Sequence, residues 1–122
     1  NGGDIFLKVR EKKKLGIFAG NSPLSLKIGV EIEPEKTPLG ICTSSGKVGP
    51  SLSFGNADAC VIFSNSAILA DAVATACGNL VKEKKDIEKG IEFAKNIDGI
   101  SGVIIIIDDK IGIWGDLKLI KI

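Results

Sequence analysis

Asp71 and Thr75 stand four residues apart in the stretch AILADAVATACGNLV, residues 67–81. On a helix that spacing projects a carboxylate and a hydroxyl from one face. A hard cation such as Mg2+ takes oxygen ligands of this kind, completed by backbone carbonyls, water or phosphate oxygens. A second reading of the same residues stays open, in which Asp71 answers the positive end of the helix dipole and Thr75 is incidental. The next candidate is Cys42, followed by Thr43, Ser44 and Ser45. A nucleophilic Cys42 has to be a thiolate. The chain has no histidine to act as its base, so a lysine or a helix N-terminus would have to serve. Cys42 as a small buried hydrophobe needs no such help. Gly46-Lys47 lies in a Gly/Ser-rich context suggestive of a phosphate loop, yet the run from Gly40 to Gly46 is one residue too long. Val48 also stands where that loop needs Ser or Thr for magnesium. What the segment keeps is glycine-rich backbone able to donate N–H groups to an anion.

The elements that must position these groups follow from periodicity. Ile68, Leu69, Ala72, Val73, Ala76, Cys77, Leu80 and Val81 recur at helical spacing and predict a core stripe. The other side offers Ala67, Ala70, Asp71, Ala74, Thr75, Gly78 and Asn79, with no Lys or Glu before Lys82. Small residues there allow another surface to approach the backbone closely. Ser64, Asn65 and Ser66 are the candidate N-caps. A second helix is predicted over residues 84–96, with Ile87, Ile91 and Ala94 inward and Lys85, Glu88, Lys89, Glu92 and Lys95 in water. Ile5, Leu7 and Val9 alternate with Phe6, Lys8 and Arg10, as in a strand. Further strands are predicted at residues 15–19, 26–32, 39–43 and 58–63. Val103 to Ile107 is continuously apolar, the pattern of a strand buried on both faces. Residues 111–114 and 117–122 form two more strands, joined by a two-residue hairpin turn at Gly115-Asp116. The sum is an α+β fold, a mostly antiparallel sheet with two adjacent helices packed on one side.

A chain of 122 residues that is 44% hydrophobic suits a single domain or half of a larger one. A net charge of +1 gives no footprint for nucleic acid. The apolar runs are too short to span a bilayer, and no signal-peptide pattern opens the chain. Cys42, Cys60 and Cys77 are far apart and odd in number, which points to a reducing, cytoplasmic setting and to packing roles for Cys60 and Cys77. With no histidine and no C-x-x-C, a structural zinc site is not expected. The basic residues are almost all lysine, with Arg10 the sole arginine, a bias seen in thermophiles. The chain holds no methionine and begins at Asn1. The expectation is therefore the C-terminal part of a longer chain, whose partner is the preceding segment or a second copy.

Ala70-Asp71-Ala72-Val73-Ala74-Thr75 resembles the ADALAT-type helix motif of the ApbE superfamily of flavin transferases. Asn1-Gly2-Gly3-Asp4 is similar to that family's GGD motif, and Thr43-Ser44-Ser45-Gly46 to its TSG segment. The three occur in the family's order, and the closest match is a largely archaeal branch. The resemblance implies an ApbE-like fold, Mg2+ held by Asp71 and Thr75, and a flavin nucleotide beside Gly2, Gly3, Asp4, Ser44, Ser45 and Gly46. The transferases carry a histidine-containing HxxDPxTG segment between the second and third motifs. Here that interval has neither the histidine nor DPxTG. The first expectation is therefore a Mg2+- and nucleotide-binding pocket without the transferase histidine. The alternatives are a sulfur-transfer accessory that carries a persulfide on a low-pKa Cys42, and a non-catalytic binding or scaffold protein.

Overall fold

The computed structural model describes residues 4–45 and 56–122. In chain order the elements are β1 (Asp4–Leu7), β2 (Lys13–Gly16), β3 (Ile28–Ile32), β4 (Leu39–Ser44), β5 (Ala59–Ser64), α1 (Ala67–Leu80), α2 (Ile87–Lys95), β6 (Ile100–Ile107), β7 (Lys110–Gly115) and β8 (Lys118–Lys121). Five strands form one sheet in the order β1-β4-β5-β6-β7, and β2-β3-β8 form a second. The strand pairings among the described residues are all antiparallel. The fold is α+β, as the periodicity predicts.

Alternation along β5 and β6 builds three layers. Cys60, Ile62, Val103, Ile105 and Ile107 point to one face and pack with α1 and α2. Val61, Phe63, Ile104 and Ile106 point to the other and pack with Val30 and Ile32 of the small sheet. A strand covered on both faces has no position for a polar residue, which is why residues 103–107 are continuously apolar. Both helices lie on one side of the large sheet. Its other side is covered by the second sheet, which the sequence pattern does not distinguish from more strands of a single one.

The chain's last turn differs from expectation for the same reason. Gly115-Asp116 does not close a hairpin. Gly115 takes φ +110°, the Leu117 N–H donates to the Gly115 carbonyl at 3.0 Å, and β8 then pairs with β3 in the other sheet. Leu117 packs so closely on Gly102 that a Cβ there would lie 2.7 Å from it. The turn at Asp108-Asp109, between Ile107 and its partner Lys110, is a two-residue hairpin turn, with Asp108 at φ 52°.

α1 is rotated relative to the predicted stripe. Its buried residues are Ala70, Val73, Ala74, Cys77 and Gly78, whereas Ile68 is 86% exposed and Ala72 also faces water. The small residues are the packing face, because they let the helix lie directly on β4 and β5. A Cβ on Gly78 would stand 3.1 Å from the Ser44 hydroxyl. α2 buries Ile87, Ile91 and Ala94 as its pattern predicts. Its α-helical turns begin at Ile87, after a 3-10 turn over Lys84–Asp86.

Of the three candidate caps, Ser66 is the one used: its hydroxyl accepts from the Leu69 N–H at 3.2 Å. Ser64 supports it by accepting the Ser66 N–H and donating to the Gly99 carbonyl. Ser66→Ala is expected to lower stability by about 1 kcal/mol in urea unfolding. A change near zero would show that the cap does not hold the start of α1. Among the described residues no helix is long and apolar enough to cross a membrane.

Candidate functional site

The site is assembled by the register of β1 on β4 and by the path of α1 over both. Asp4 lies directly opposite Cys42. Residues facing each other across an antiparallel pair share a side of the sheet, with Cβ atoms about 4.5–5.5 Å apart. That side is the one α1 covers. The helix begins against Gly40, where a Cβ would meet the Ala67 Cα at 2.7 Å, and continues along β4 to Gly78 beside Ser44. Asp71 stands one turn beyond Ala67 and reaches the Cys42 sulfur. The carboxylate oxygens of Asp4 and Asp71 and the Cys42 Sγ lie within 4.8 Å of one another.

These groups line a hollow of about 290 Å³, whose other walls are Ile5, Phe6, Ala67 and Ile68. Cys42, 1% exposed, is its floor, and the two exposed aspartates form its rim. Phe6 is 59% exposed at the same rim, so the hollow offers an apolar wall beside two negative charges. Among the described residues this is the one cluster of three carboxyl or thiol groups, and no lysine or arginine there pairs with either carboxylate.

Cys42 is held as a thiol. Burial is the largest cause, followed by its hydrogen bond with Asp4 and the negative charges of Asp4 and Asp71. Together they push its pKa up to about 12. The Ala67 carbonyl, 3.6 Å from the sulfur, is an alternative acceptor for the same S–H. A persulfide carrier needs the opposite shift, so this environment argues against the sulfur-transfer expectation. Cys60 and Cys77 are buried and unbridged, as packing residues should be.

The other candidates are placed as follows. Asp71 is the fifth residue of α1, beyond the first turn, where the helix dipole has little hold on it. Thr75 is exposed, but its hydroxyl donates to the Asp71 backbone carbonyl at 3.2 Å and it does not line the hollow. Such a bond back along the helix is the ordinary partner of a mid-helix threonine. Ser44 packs against Gly78, further along β4, and Ser45 donates to the Ala57 carbonyl at 3.4 Å. Gly2, Gly3 and Gly46 lie outside the described residues. The structure therefore groups Asp71 with Asp4 and Cys42 rather than with Thr75.

Phe6 and Ile68 are wall residues that periodicity misassigns or passes over. The signal for Ile68 is its own position, since it does not share a helix face with Ala70, Val73, Ala74 and Cys77. A second hollow of about 360 Å³ opens between the two sheets and is lined mainly by apolar residues such as Val30, Ile32 and Phe63. Its charged lining groups are engaged in ion pairs, Lys36 with Asp116 and Glu31 with Lys118.

Gly40 is the residue that lets α1 approach. The wall facing it is Ala67 backbone, which has no rotamer with which to yield. Gly40→Ala is expected to destabilise the chain by about 1–3 kcal/mol in denaturant unfolding. It should also weaken any cation binding at Asp71, because the start of α1 must move off β4. Unchanged stability would show that the contact is not tight.

The family model described as AbpE bacteria matches residues 1–113. The chain is 46% identical to a UPF0280 protein of Methanocella arvoryzae, over 98% of this chain and 49% of that protein. It is 46% identical to a UPF0280 protein of Methanosarcina acetivorans, over 98% of this chain and 47% of that protein. It is 40% identical to a UPF0280 protein of Methanocaldococcus jannaschii, over 99% of this chain and 52% of that protein. The chain thus spans about half the length of the curated relatives it matches. With the family model covering nearly the whole sequence, the chain belongs to the family described as AbpE bacteria.

Proposed function

We propose that this chain is an ApbE-like binding domain whose hollow between β1, β4 and α1 holds a divalent cation and, through it, an anionic ligand of the flavin-nucleotide type. The observation that carries the reading is the convergence of Asp4, Cys42 and Asp71 within 4.8 Å, with no basic side chain against them among the described residues. Two carboxylates this close repel each other, and a dication relieves that repulsion. A phosphate would complete the cation's shell, and Phe6 would lie beside a flat ring.

In this reading Asp4 and Asp71 ligate. Thr75 steadies the helical turn that carries Asp71, through its bond to the Asp71 carbonyl. The backbone of Gly2 and Gly3, with Ser44, Ser45 and Gly46, would contact the anionic ligand. The absence of histidine from this chain leaves it without the transferase residue, so the activity assigned is binding, and flavin transfer is not assigned. We further propose that the chain is one domain of a longer cytoplasmic protein. It would meet the preceding segment or a second copy, and neither nucleic acid nor a membrane is a partner. Three free buried thiols support the reducing setting.

Mg2+ is the ion the family resemblance implies, and the donor set fits it poorly. Mg2+ demands oxygen ligands in a near-ideal octahedron, whereas the floor of this hollow is sulfur and the Thr75 hydroxyl is turned to the backbone. The test of function therefore uses several ions. Thermal unfolding is followed with Mg2+, Mn2+ or Zn2+, each alone and with FAD, FMN or ADP. The expected result is a rise in Tm with cation and nucleotide together that exceeds the sum of either alone. If no combination moves Tm, the chain is a scaffold and the binding reading fails.

A further inference from the structure

We propose that the cation selected by the β1–β4–α1 hollow is a thiophilic dication of the Zn2+ class, and that the Cys42 sulfur is the ligand that selects it. The inference rests on the cation-binding reading above and departs from the Mg2+ implied by the family resemblance. It follows from the donor set. Asp4, Asp71 and Cys42 offer two oxygens and one sulfur, all within 4.8 Å of one another. Zn2+ accepts this mixture, with bonds of about 2.3 Å to sulfur and about 2.0–2.2 Å to carboxylate oxygen. A tetrahedral centre with such bonds spaces its ligand atoms by roughly 3.5 Å, a separation that rotation of the two exposed aspartates can reach. Three protein ligands leave a fourth position open, the arrangement of a zinc site that takes water or substrate. Mg2+ would gain little from the sulfur and would need most of its shell from water.

Position makes the sulfur hard to avoid. Cys42 lies on β4, paired on both sides by β1 and β5, and is buried under the start of α1. An ion drawn between the two carboxylates therefore meets a sulfur held in place by the sheet. The aspartates, at the rim, are the adjustable ligands. On binding, the Cys42 S–H bond breaks, the electron pair goes to the metal, and the proton leaves to solvent. The ion's own charge drives that step. The site is distinct in kind from a structural Cys/His zinc site, because two of its three ligands are carboxylates and its outer face is open.

The experiment is metal titration of the whole chain by calorimetry and ultraviolet absorbance, with Zn2+, Cd2+ and Mg2+. The expected result is one equivalent of Zn2+ or Cd2+ bound, not displaced by a hundredfold excess of Mg2+. Cd2+ should produce a thiolate-to-metal charge-transfer band. The band should persist in Cys60→Ala and Cys77→Ala and vanish in Cys42→Ser. Cys42→Ser should weaken Zn2+ by on the order of tenfold or more, about 1.4 kcal/mol per tenfold, while Mg2+ binding stays equal or rises. Should Cys42→Ser fail to fold, the band in the unmodified chain and in the other two variants still reads the ligand. If Mg2+ binds in preference, or if Cd2+ binds at Asp71 without a sulfur band, the selection by Cys42 is overturned and the cation-binding reading stands. If no ion binds, both fall.

Discussion

Phe63→Ala is expected to lower the free energy of unfolding by about 3–5 kcal/mol. Phe63 is fully buried on β5, on the face of the large sheet that meets the small one. It belongs to the buried cluster that includes Val61, Ile104, Ile106, Leu39, Ile41, Val30 and Ile32, and it also lines the hollow between the sheets. Truncation removes the ring's transfer free energy and leaves a void that the flanking strands cannot close, since β4 and β6 are held at ladder spacing on either side. Domains of this size have about 5–15 kcal/mol in total, so the loss would be a large share. Urea unfolding should show a lower midpoint with an unchanged slope. The cation site is on the other face, and one equivalent of metal should still bind. A loss below about 1 kcal/mol would mean that Phe63 does not seal the space between the sheets.

Asp71→Ala is expected to abolish the cation-linked gain in stability and to leave the stability of the metal-free chain within about 0.5 kcal/mol. The second part follows from exposure, since Asp71 packs no core and has no ion-pair partner among the described residues. The first follows from linkage. A ligand at about 100 times its Kd stabilises the folded state by roughly 2.7 kcal/mol, and that whole term disappears when a required ligand is removed. Thr75→Val is the informative contrast. Spacing alone pairs Thr75 with Asp71 as a ligand, whereas the structure gives its hydroxyl to the Asp71 carbonyl. Thr75→Val should therefore retain most of the cation-linked rise in Tm, and Asp4→Ala should lose it. The reverse pattern would return the site to the helix face alone.

α2 shows why some of this was legible in advance. Its charged face and its Ile87, Ile91 and Ala94 face differ sharply, so periodicity orients it without ambiguity. α1 has no such contrast. One side carries aliphatic residues and the other alanine and glycine, and both are compatible with burial. The decision went to the side that fits flush on β4 and β5, because close approach gains more packing than a bulkier ridge held away from the sheet. Ile68 was left in water as a result, beside the hollow it now borders.

By itself the sequence determined what is local. Alternation in the strands, the continuous apolar run at residues 103–107, the serine cap before α1 and the α+β class all follow from neighbours a few residues apart. Tertiary structure decided what is long-range. The division of strands into two sheets, the destination of the chain after Gly115, the rotation of α1 and the register that sets Asp4 opposite Cys42 each depend on residues distant in sequence. The candidate site belongs to the second group. One aspartate begins an edge strand, the cysteine lies on its neighbour and the other aspartate rides the helix above. Nothing in their spacing along the chain encodes that meeting, because strand register is set by packing against the rest of the core.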